Sequence, residues 1–281
     1  MPLEVVAPGK LVVAGEYAVV DGGVAVVAAI DRGVRCIVTA GEGVTTPGDD
    51  RFVRAGLLAV SAPARHYAFT DAKPAVLADK PGFGGSAAAT VAACAAGLLA
   101  RHAPLDTLLE TALSVHHTVQ GSGSGIDVRA SVAGGVRRWP GGIARSLPRL
   151  TAIYSGRSAS TGPRVQRYLA WSDRARFVDE SNVLVAALDQ DPVAALEALR
   201  ELLVAMSRAA GIDYLTDAHA RIAALARDHG GAAKPSGAGG GDIAVAVVPD
   251  PDARTAFEAA CSAERLPPIA IEAAELSVHR A

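Results

Sequence analysis

The residues that could do chemistry lie in three glycine-rich segments and at one isolated lysine. The first segment reads Gly82-Phe83-Gly84-Gly85 and is followed by Ser86-Ala87-Ala88 and an alanine-rich run to about Arg101. This pattern predicts a loop that leads into a helix, whose N-terminus offers unpaired N–H groups and a partial positive charge. A phosphate suits such a position, since glycines let it approach the backbone closely. A tight turn before a buried helix, with Ser86 only as its N-cap, explains the same residues equally well.

The second segment, at residues 234–242, reads Lys-Pro-Ser-Gly-Ala-Gly-Gly-Gly-Asp. Core packing does not explain four glycines in five positions, so this loop must pass close to another group. A flexible linker is the weaker interpretation. The apolar run Ile243–Val248 follows at once and predicts a buried strand.

The third segment, residues 120–127, ends in Asp127 after three glycines and two serines. An aspartate there could accept a proton from an acceptor hydroxyl or stabilise a nearby lysine. Alternatively, it caps a helix that begins near Val128. Lys10 follows Pro8-Gly9 in an otherwise apolar stretch. It is either an ordinary surface lysine or a cation that neutralises transferring phosphoryl oxygens.

Composition and patterning exclude several other classes of protein. The P-loop pattern is missing, and no acidic residue follows the first segment by ~20 positions, as a dinucleotide site needs. The net charge of −2 gives no long-range attraction to nucleic acid or anionic membranes. No apolar run approaches the ~20 residues that cross a bilayer, and the first residues lack a signal-peptide pattern. We expect a cytoplasmic protein with a small-molecule substrate, no nucleic acid and no membrane partner.

The three cysteines, Cys36, Cys94 and Cys261, lie far apart in the sequence and show no paired spacing. That distribution favours neither a zinc site nor a disulfide framework. We expect them to be buried structural thiols.

The strands and helices predicted around the three segments indicate an α+β fold. Residues 3–38 predict strands, one of them Tyr17–Val20, with turns at Pro8-Gly9 and at residues 21–23. Residues 41–80 predict loops with one weak strand at His66–Thr70. Helices are predicted at about 86–101, 105–119, 161–170, 178–188, 192–210, 215–230 and 252–263, and further strands near Ile153, at 243–248 and at 269–276. We expect a β-rich N-terminal lobe over residues 1–150 and a C-terminal α+β lobe over residues 151–281.

Taken in order, the segments resemble the GHMP kinase superfamily of galactokinases, homoserine kinases, mevalonate kinases and phosphomevalonate kinases. The resemblance rests on Pro8-Gly9-Lys10 with Gly15–Val19, on Gly82–Ala88 and on Lys234–Asp242. It implies a two-lobed fold, with an N-terminal lobe like the second domain of ribosomal protein S5, a ferredoxin-like C-terminal lobe and the active site between them. It also implies a kinase that uses ATP and Mg²⁺.

The same resemblance assigns roles to individual residues. The catalytic residues would be Lys10, Lys80 and Asp127. The ATP phosphates would lie on Gly82, Gly84, Gly85, Ser86, Ala87 and Ala88, with Ser86 also contacting magnesium. The acceptor would lie against Lys10, Tyr17, Ser124, Ser158, Ser160, Gly237, Ala238, Gly239 and Gly240.

Within the superfamily, the details are most similar to phosphomevalonate kinases. They are Gly15-Glu16-Tyr17, residues 120–127, residues 230–242 and Lys80. The implied reaction converts phosphomevalonate, or a related acid, to diphosphomevalonate in the mevalonate (isoprenoid) pathway. Mevalonate kinase or another small-molecule kinase of the superfamily is the alternative, and a catalytically silent ligand-binding member is a further one. A monomer and a homodimer are both compatible with the sequence.

Two positions depart from the family pattern. Gly85 stands where the second motif usually has the first of two serines, and His116 stands where mevalonate kinases carry a magnesium-binding glutamate. Magnesium would then be held by Ser86, the phosphates and water. A phosphorylated acceptor also needs several cations, for which the candidates are Arg129, Arg137, Arg138, Arg157 and Arg164.

Overall fold

The computed structural model describes residues 2–73, 82–121 and 123–280. Its strands are β1 (Leu3–Ala14), β2 (Ala25–Thr39), β3 (Gly43–Thr45), β4 (His66–Asp71), β5 (Val136–Trp139), β6 (Ile143–Ala144), β7 (Leu150–Tyr154), β8 (Ala232–Pro235), β9 (Ile243–Val247), β10 (Pro268–Ile269) and β11 (Ser277–Arg280). Its helices are α1 (Arg51–Ala59), α2 (Gly85–Ala100), α3 (Leu108–Gln120), α4 (Ile126–Ala133), α5 (Gly162–Ala170), α6 (Arg174–Ala187), α7 (Pro192–Ala209), α8 (Asp217–Asp228) and α9 (Pro251–Ala263). Within the described ranges, no helix is both long enough and apolar enough to span a bilayer.

The first sheet carries the N-terminal motif. Its order is β11-β1-β2-β4-β3, and β5, which also pairs with β6, pairs with β2. β1 and β2 are antiparallel, from Leu3 opposite Val38 to Ala14 opposite Val26. One face of this sheet packs on α1, α2 and α3, so inward-facing residues such as Val5 lose all contact with solvent.

α2 is built almost entirely from small residues and runs through the core of the first lobe. Residues 90–97 are all buried. The small side chains let α1 approach closely, since a Cβ on Gly56 would lie 2.9 Å from Ala93 Cβ. This packing fixes the position of the helix and therefore of its N-terminus, and the predicted helix over 86–101 is confirmed.

The second sheet has the order β10-β7-β9-β8. β9 is buried along its whole length, as its apolar run predicts, because helices cover both of its faces. Ile243 and Val245 pack against α6 and α7, while Ala244 and Ala246 pack against α8 and α9. The cluster that holds Val245 also contains Leu11 and Val13 of β1, so the two sheets share a core.

The predicted turn at Pro8-Gly9 is wrong, because β1 continues through it. The pairing with β2 shifts register between Ala7, opposite Val34, and Gly9, opposite Ile30, which marks an irregularity inside the strand. A Cβ on Gly9 would lie 2.1 Å from the carbonyl oxygen of Arg32, so glycine is needed for a close approach of two strands.

Three further element predictions are corrected. Residues 18–21 form a 3-10 helix rather than a strand, and Gly22, in the left-handed conformation, ends it. The stretch predicted as loops contains α1, whose buried residues Val53 and Leu57 pack on the core. The predicted terminal strand at 269–276 is replaced by the short strands β10 and β11, because β11 crosses to the first sheet and pairs with β1.

The three cysteines are free and buried, as expected. The first sheet uses residues 3–144 with β11, and the second uses residues 150–269. The boundary between residues 150 and 151 stays a prediction.

Candidate active site

A cleft of about 850 Å³ collects residues from all three glycine-rich segments and from β1. The residues predicted for the site that line it are Lys10, Gly82, Gly84, Gly85, Ser86, Asp127, Ser158, Gly237, Ala238 and Gly239. Segments more than two hundred residues apart in sequence therefore meet at one surface. Lys80 lies outside the described residues, so its role stays a prediction.

The α2 loop (residues 82–84) presents the N-terminus of α2 to the cleft. Gly84 is the N-cap, with a left-handed φ of 74°, and no side chain caps the helix. The first intrahelical bond at this end runs from Ala88 N–H to Gly84 O at 3.1 Å. The N–H groups of Gly85, Ser86 and Ala87 are thus left without an intrahelical acceptor, which makes this end suited to an anion.

Ser86 is the second residue of α2 and not its N-cap, so its interpretation as a simple cap is wrong. Its Oγ lies 3.2 Å from Nε2 of His116, a 6% exposed residue of α3. Burial lowers the pKa of His116, and the nearby Asp127 carboxylate opposes that shift only in part. The Ser86 hydroxyl therefore lies at the cleft wall and is hydrogen-bonded to an imidazole whose charged form is disfavoured by burial.

Lys10 reaches the cleft beside the α2 loop. Its backbone N–H donates to Phe83 O at 2.8 Å, and a Cβ on Gly84 would lie 2.8 Å from Lys10 Cγ. Lys10 Nζ lies 3.7 Å from Asp127 Oδ2, with side chains 12% and 33% exposed. Asp127 sits in the first turn of α4 but makes no capping bond, because the N-cap is Gly125. The capping interpretation is therefore not supported, and Asp127 lies in the cleft beside a lysine.

The β9 loop (residues 236–242) forms another part of the cleft wall. Ser236 bonds β1 in both directions, accepting from Val12 N–H at 3.0 Å and donating to Val12 O at 2.9 Å. A Cβ on Gly239 would lie 2.3 Å from a ring carbon of Tyr214, and one on Gly240 would lie 1.9 Å from the Arg164 guanidinium. Close packing behind the cleft therefore requires glycine at these two positions of the loop.

Asp242 lines the cleft, although the sequence pattern identified it only as the last residue of a motif and assigned it no role. It has a left-handed φ of 59°, an uncommon conformation for a residue with a side chain. Its Oδ1 accepts from Ala159 N–H at 3.3 Å, and its Oδ2 lies against Gly82. Burial raises the pKa of Asp242, opposed by its bond to Ala159 and by Lys10 and Arg164. An aspartate that closes a glycine run is the signal that could have identified it.

Several predicted residues lie beside the cleft lining rather than in it. Tyr17 is 4% exposed and its hydroxyl donates to Ala238 O at 2.7 Å. Ser124 Oγ accepts from Ile126 N–H at 3.4 Å. Ala87 and Ala88 are buried in the core beneath the α2 loop. The others outside the lining are Ser160 and Gly240.

The five candidate arginines are also absent from the described lining of the cleft. The guanidinium of Arg129 lies 6.0 Å from the centre of the Trp139 ring. Arg137 and Arg138 both belong to β5, and Arg137 donates to the backbone carbonyls of Ala133 and Gly142. Arg157 donates to Gly240 O at 3.0 Å, so it and Arg164 lie behind the β9 loop. The cations that do line the described walls are Lys10, Arg32 and Lys73.

Comparison with known proteins identifies the architecture. Residues 184–266 match the family model described as GHMP kinases C terminal. The phosphomevalonate kinase of Streptomyces sp. (strain CL190) is 28% identical over 331 aligned residues, which cover 86% of this chain and 88% of that protein. The Lin0012 protein of Listeria innocua has a TM-score of 0.89 at 21% identity over 100% of both chains. The phosphomevalonate kinase of Streptococcus pneumoniae has a TM-score of 0.81 at 19% identity over 98% and 99% of the two chains.

These comparisons confirm the resemblance to the GHMP kinase superfamily and the two-lobed mixed α/β fold that it implies. The family model covers the chain from the last residues of α6 to the end of α9, including the β9 loop.

Proposed function

We propose that this chain, which has the fold and the C-terminal domain of the GHMP kinases, is an ATP-dependent kinase that phosphorylates phosphomevalonate. The observation that carries the proposal is the meeting of Lys10, Asp127 and the N-terminus of α2 at one cleft. The likeness to the Streptomyces enzyme across most of both chains supports the choice of acceptor.

In this proposal the ATP triphosphate lies at the N-terminus of α2. The free N–H groups of residues 85–87 and the helix dipole favour phosphate oxygens there. A Cβ on Gly85 would meet nothing within 4 Å, so this position faces open space that a phosphate can occupy. Gly82 and Gly84 let the ligand approach the backbone without side-chain clashes.

The chemistry of the donor set also fits magnesium that arrives with the nucleotide. Among the described residues, no group of three or more acidic, histidine or cysteine side chains could hold a metal alone. Ser86 Oγ, the ATP phosphates and water together make a suitable shell of oxygen ligands. When bound, the ion neutralises charge on the phosphate oxygens.

Transfer follows from these positions. An oxygen of the acceptor's phosphate attacks the γ-phosphorus in line, the bond to the bridging oxygen breaks, and ADP leaves. A phosphate monoester, with a second pKa of about 6, is already ionised near pH 7, so no general base is needed. Lys10 stabilises the negative charge on the transferring group, and Asp127 orients its ammonium.

One observation favours a second candidate, mevalonate kinase. The described walls of the cleft hold the cations Lys10, Arg32 and Lys73 against the carboxylates Asp49, Asp71, Asp127 and Asp242. An alcohol acceptor carries less negative charge than a phosphorylated one and suits such a wall better. Asp127 would then be the general base that takes the hydroxyl proton.

An ADP-coupled assay with mevalonate, phosphomevalonate and homoserine in parallel tests the proposal. We expect kcat/KM for phosphomevalonate to exceed the other two by at least tenfold. A preference for mevalonate selects the second candidate. Background rates with all three acceptors, together with retained ligand binding, identify a catalytically silent member.

A further inference from the structure

Glu16 and Lys234 form an ion pair that is shut off from solvent. Their side chains are 1% and 0% exposed, and Lys234 Nζ donates to Glu16 Oε1. The two residues are 218 positions apart in sequence. One follows β1 and the other lies in β8, so the pair joins the two sheets. Removing two charges from water costs free energy that their attraction repays only partly, so stability alone is a weak explanation.

Both ends of the pair also hold the backbone where the β9 loop begins. Glu16 Oε1 accepts from Gly237 N–H at 3.4 Å. Lys234 Nζ donates to Pro235 O at 3.1 Å. Gly237 lines the cleft, and a Cβ on it would lie 4.0 Å from Lys10 Nζ. The buried charges therefore lie directly beneath the part of the loop that faces Lys10.

Two neighbouring hydrogen bonds also connect the β9 loop to β1 and the residues that follow it. Ser236 bonds Val12 of β1, and the Tyr17 hydroxyl bonds Ala238 O. Residues 236, 237 and 238 are thus each bonded to the segment 12–17, although they belong to the other sheet. Glu16 contributes the central one of the three attachments.

We infer that Glu16 and Lys234 are positioning residues, which hold residues 236–238 at a fixed distance from β1 and so set where the acceptor lies relative to Lys10. The kinetic part of this inference rests on the proposed kinase function. Neither side chain reaches the cleft, so both act through the backbone of the β9 loop.

The first test replaces both charges with apolar side chains of similar volume, in E16M/K234M. We expect a melting temperature within about 5 °C of the wild type, or above it, because a buried ion pair can be exchanged for apolar packing with little loss. We expect KM for the acceptor to rise at least tenfold, since a small misplacement of a reactant is costly. KM for ATP should stay within threefold, because the α2 loop keeps its own attachments.

The second variant, E16Q, separates hydrogen bonding from charge. Its amide oxygen can still accept from Gly237 N–H, but Lys234 loses its charged partner. We expect a lower melting temperature and an acceptor KM within threefold of the wild type. A tenfold rise in this variant would overturn the inference even if the double variant failed to fold. The control E197M/R200M removes a partly buried pair on α7, and its KM values should not change.

Hydrogen exchange gives a readout that needs no kinase activity. In E16M/K234M, amides in peptides covering residues 236–241 should exchange at least tenfold faster than in the wild type, while peptides of α2 stay unchanged. A stable double variant with wild-type exchange and wild-type acceptor KM would overturn the positioning role. Wild-type protein that phosphorylates none of the acceptors but shows the exchange difference would overturn only the kinase proposal.

Discussion

The α2 loop and the β9 loop both line the cleft, but they are held in different ways. The α2 loop runs directly into a helix whose residues 90–97 are buried, so its position follows from the core of one lobe. The β9 loop depends on side chains from distant parts of the chain, among them Glu16, Tyr17 and Arg164.

This difference matches the two ligands of a kinase. Backbone N–H groups at a helix N-terminus bind any phosphate and need few particular side chains. A loop that is placed by several distant residues can be moved by changing any of them, which suits the side that selects the acceptor. Changes at the α2 loop should therefore alter nucleotide binding, and changes around the β9 loop should alter the acceptor.

The largest expected effect is at Lys10, which bonds the α2 loop and lies beside Gly237 of the β9 loop. Lys10→Ala should lower kcat by about a hundredfold or more, because it removes a preorganised charge beside the transferring group. Lys73→Ala is the matched control, since Lys73 also lines the cleft but pairs with Asp31; its kcat should fall less than fivefold. Steady-state kinetics decide, and a near-normal rate in Lys10→Ala would remove Lys10 from the mechanism.

The support of the β9 loop should be sensitive to acid through His219. This residue of α8 is 1% exposed, and burial lowers its pKa to about 4, with Arg157 adding to the shift and the Gly241 backbone opposing it. The unfolded chain binds a proton near pH 6.5 and the folded one does not, so stability falls as the pH drops from 6.5 towards 4. The loss is about 3 kcal/mol over that range. Urea unfolding from pH 7 to pH 4.5 measures it.

His219→Gln provides the control for that pH dependence. The variant lacks the titrating group, so its unfolding free energy should depend on pH less steeply than the wild type. Identical slopes in the two proteins would show that His219 does not couple acid to the β9 loop.

The α2 loop can be examined with two neighbouring glycines. Gly85→Ala puts a methyl group into open space in the cleft, so we expect an unchanged melting temperature and an ATP KM about tenfold higher. Gly84→Ala forces a left-handed residue against Lys10, so it should lower both the melting temperature and ATP affinity. Thermal unfolding and ATP titration separate the two, and equal melting temperatures would contradict this distinction.

The smallest expected effect is at Tyr17. Tyr17→Phe loses one hydrogen bond to Ala238 O, worth about 1 kcal/mol, and should raise the acceptor KM two- to fivefold without changing the ATP KM. Tyr168→Phe loses a hydrogen bond to Asp21 in the same aromatic cluster, and among the described side-chain bonds none joins Tyr168 to the loop. If both variants gave the same kinetics, the Tyr17 hydroxyl would have no part in placing the acceptor.

Local patterns predicted most of the long helices and the positions of the glycine loops, but they missed α1. The alanine run after Gly85 predicted α2 because small residues with high helix propensity suit a buried helix. The apolar run after Asp242 predicted β9. The turn predicted at Pro8-Gly9 was wrong, because Gly9 lies inside β1 and allows β2 to approach closely.

Long-range partners were beyond local reasoning. Nothing near Glu16 in sequence shows that it pairs with Lys234, and nothing near Ser86 identifies His116 as its neighbour. The resemblance to a kinase family predicted that the three segments share one site. The contacts that hold these segments in place became known only from the three-dimensional structure. Asp242 was visible in the motif, but its contact with Gly82 was not.

The most direct measurement is calorimetric titration of a non-hydrolysable ATP analogue with Mg²⁺ into the wild type and Gly85→Ala. We expect the wild type to bind with a submillimolar Kd and Gly85→Ala to bind at least tenfold more weakly. Absence of binding to the folded wild type at millimolar analogue, or equal affinity in the two proteins, would contradict the placement of the triphosphate at the N-terminus of α2.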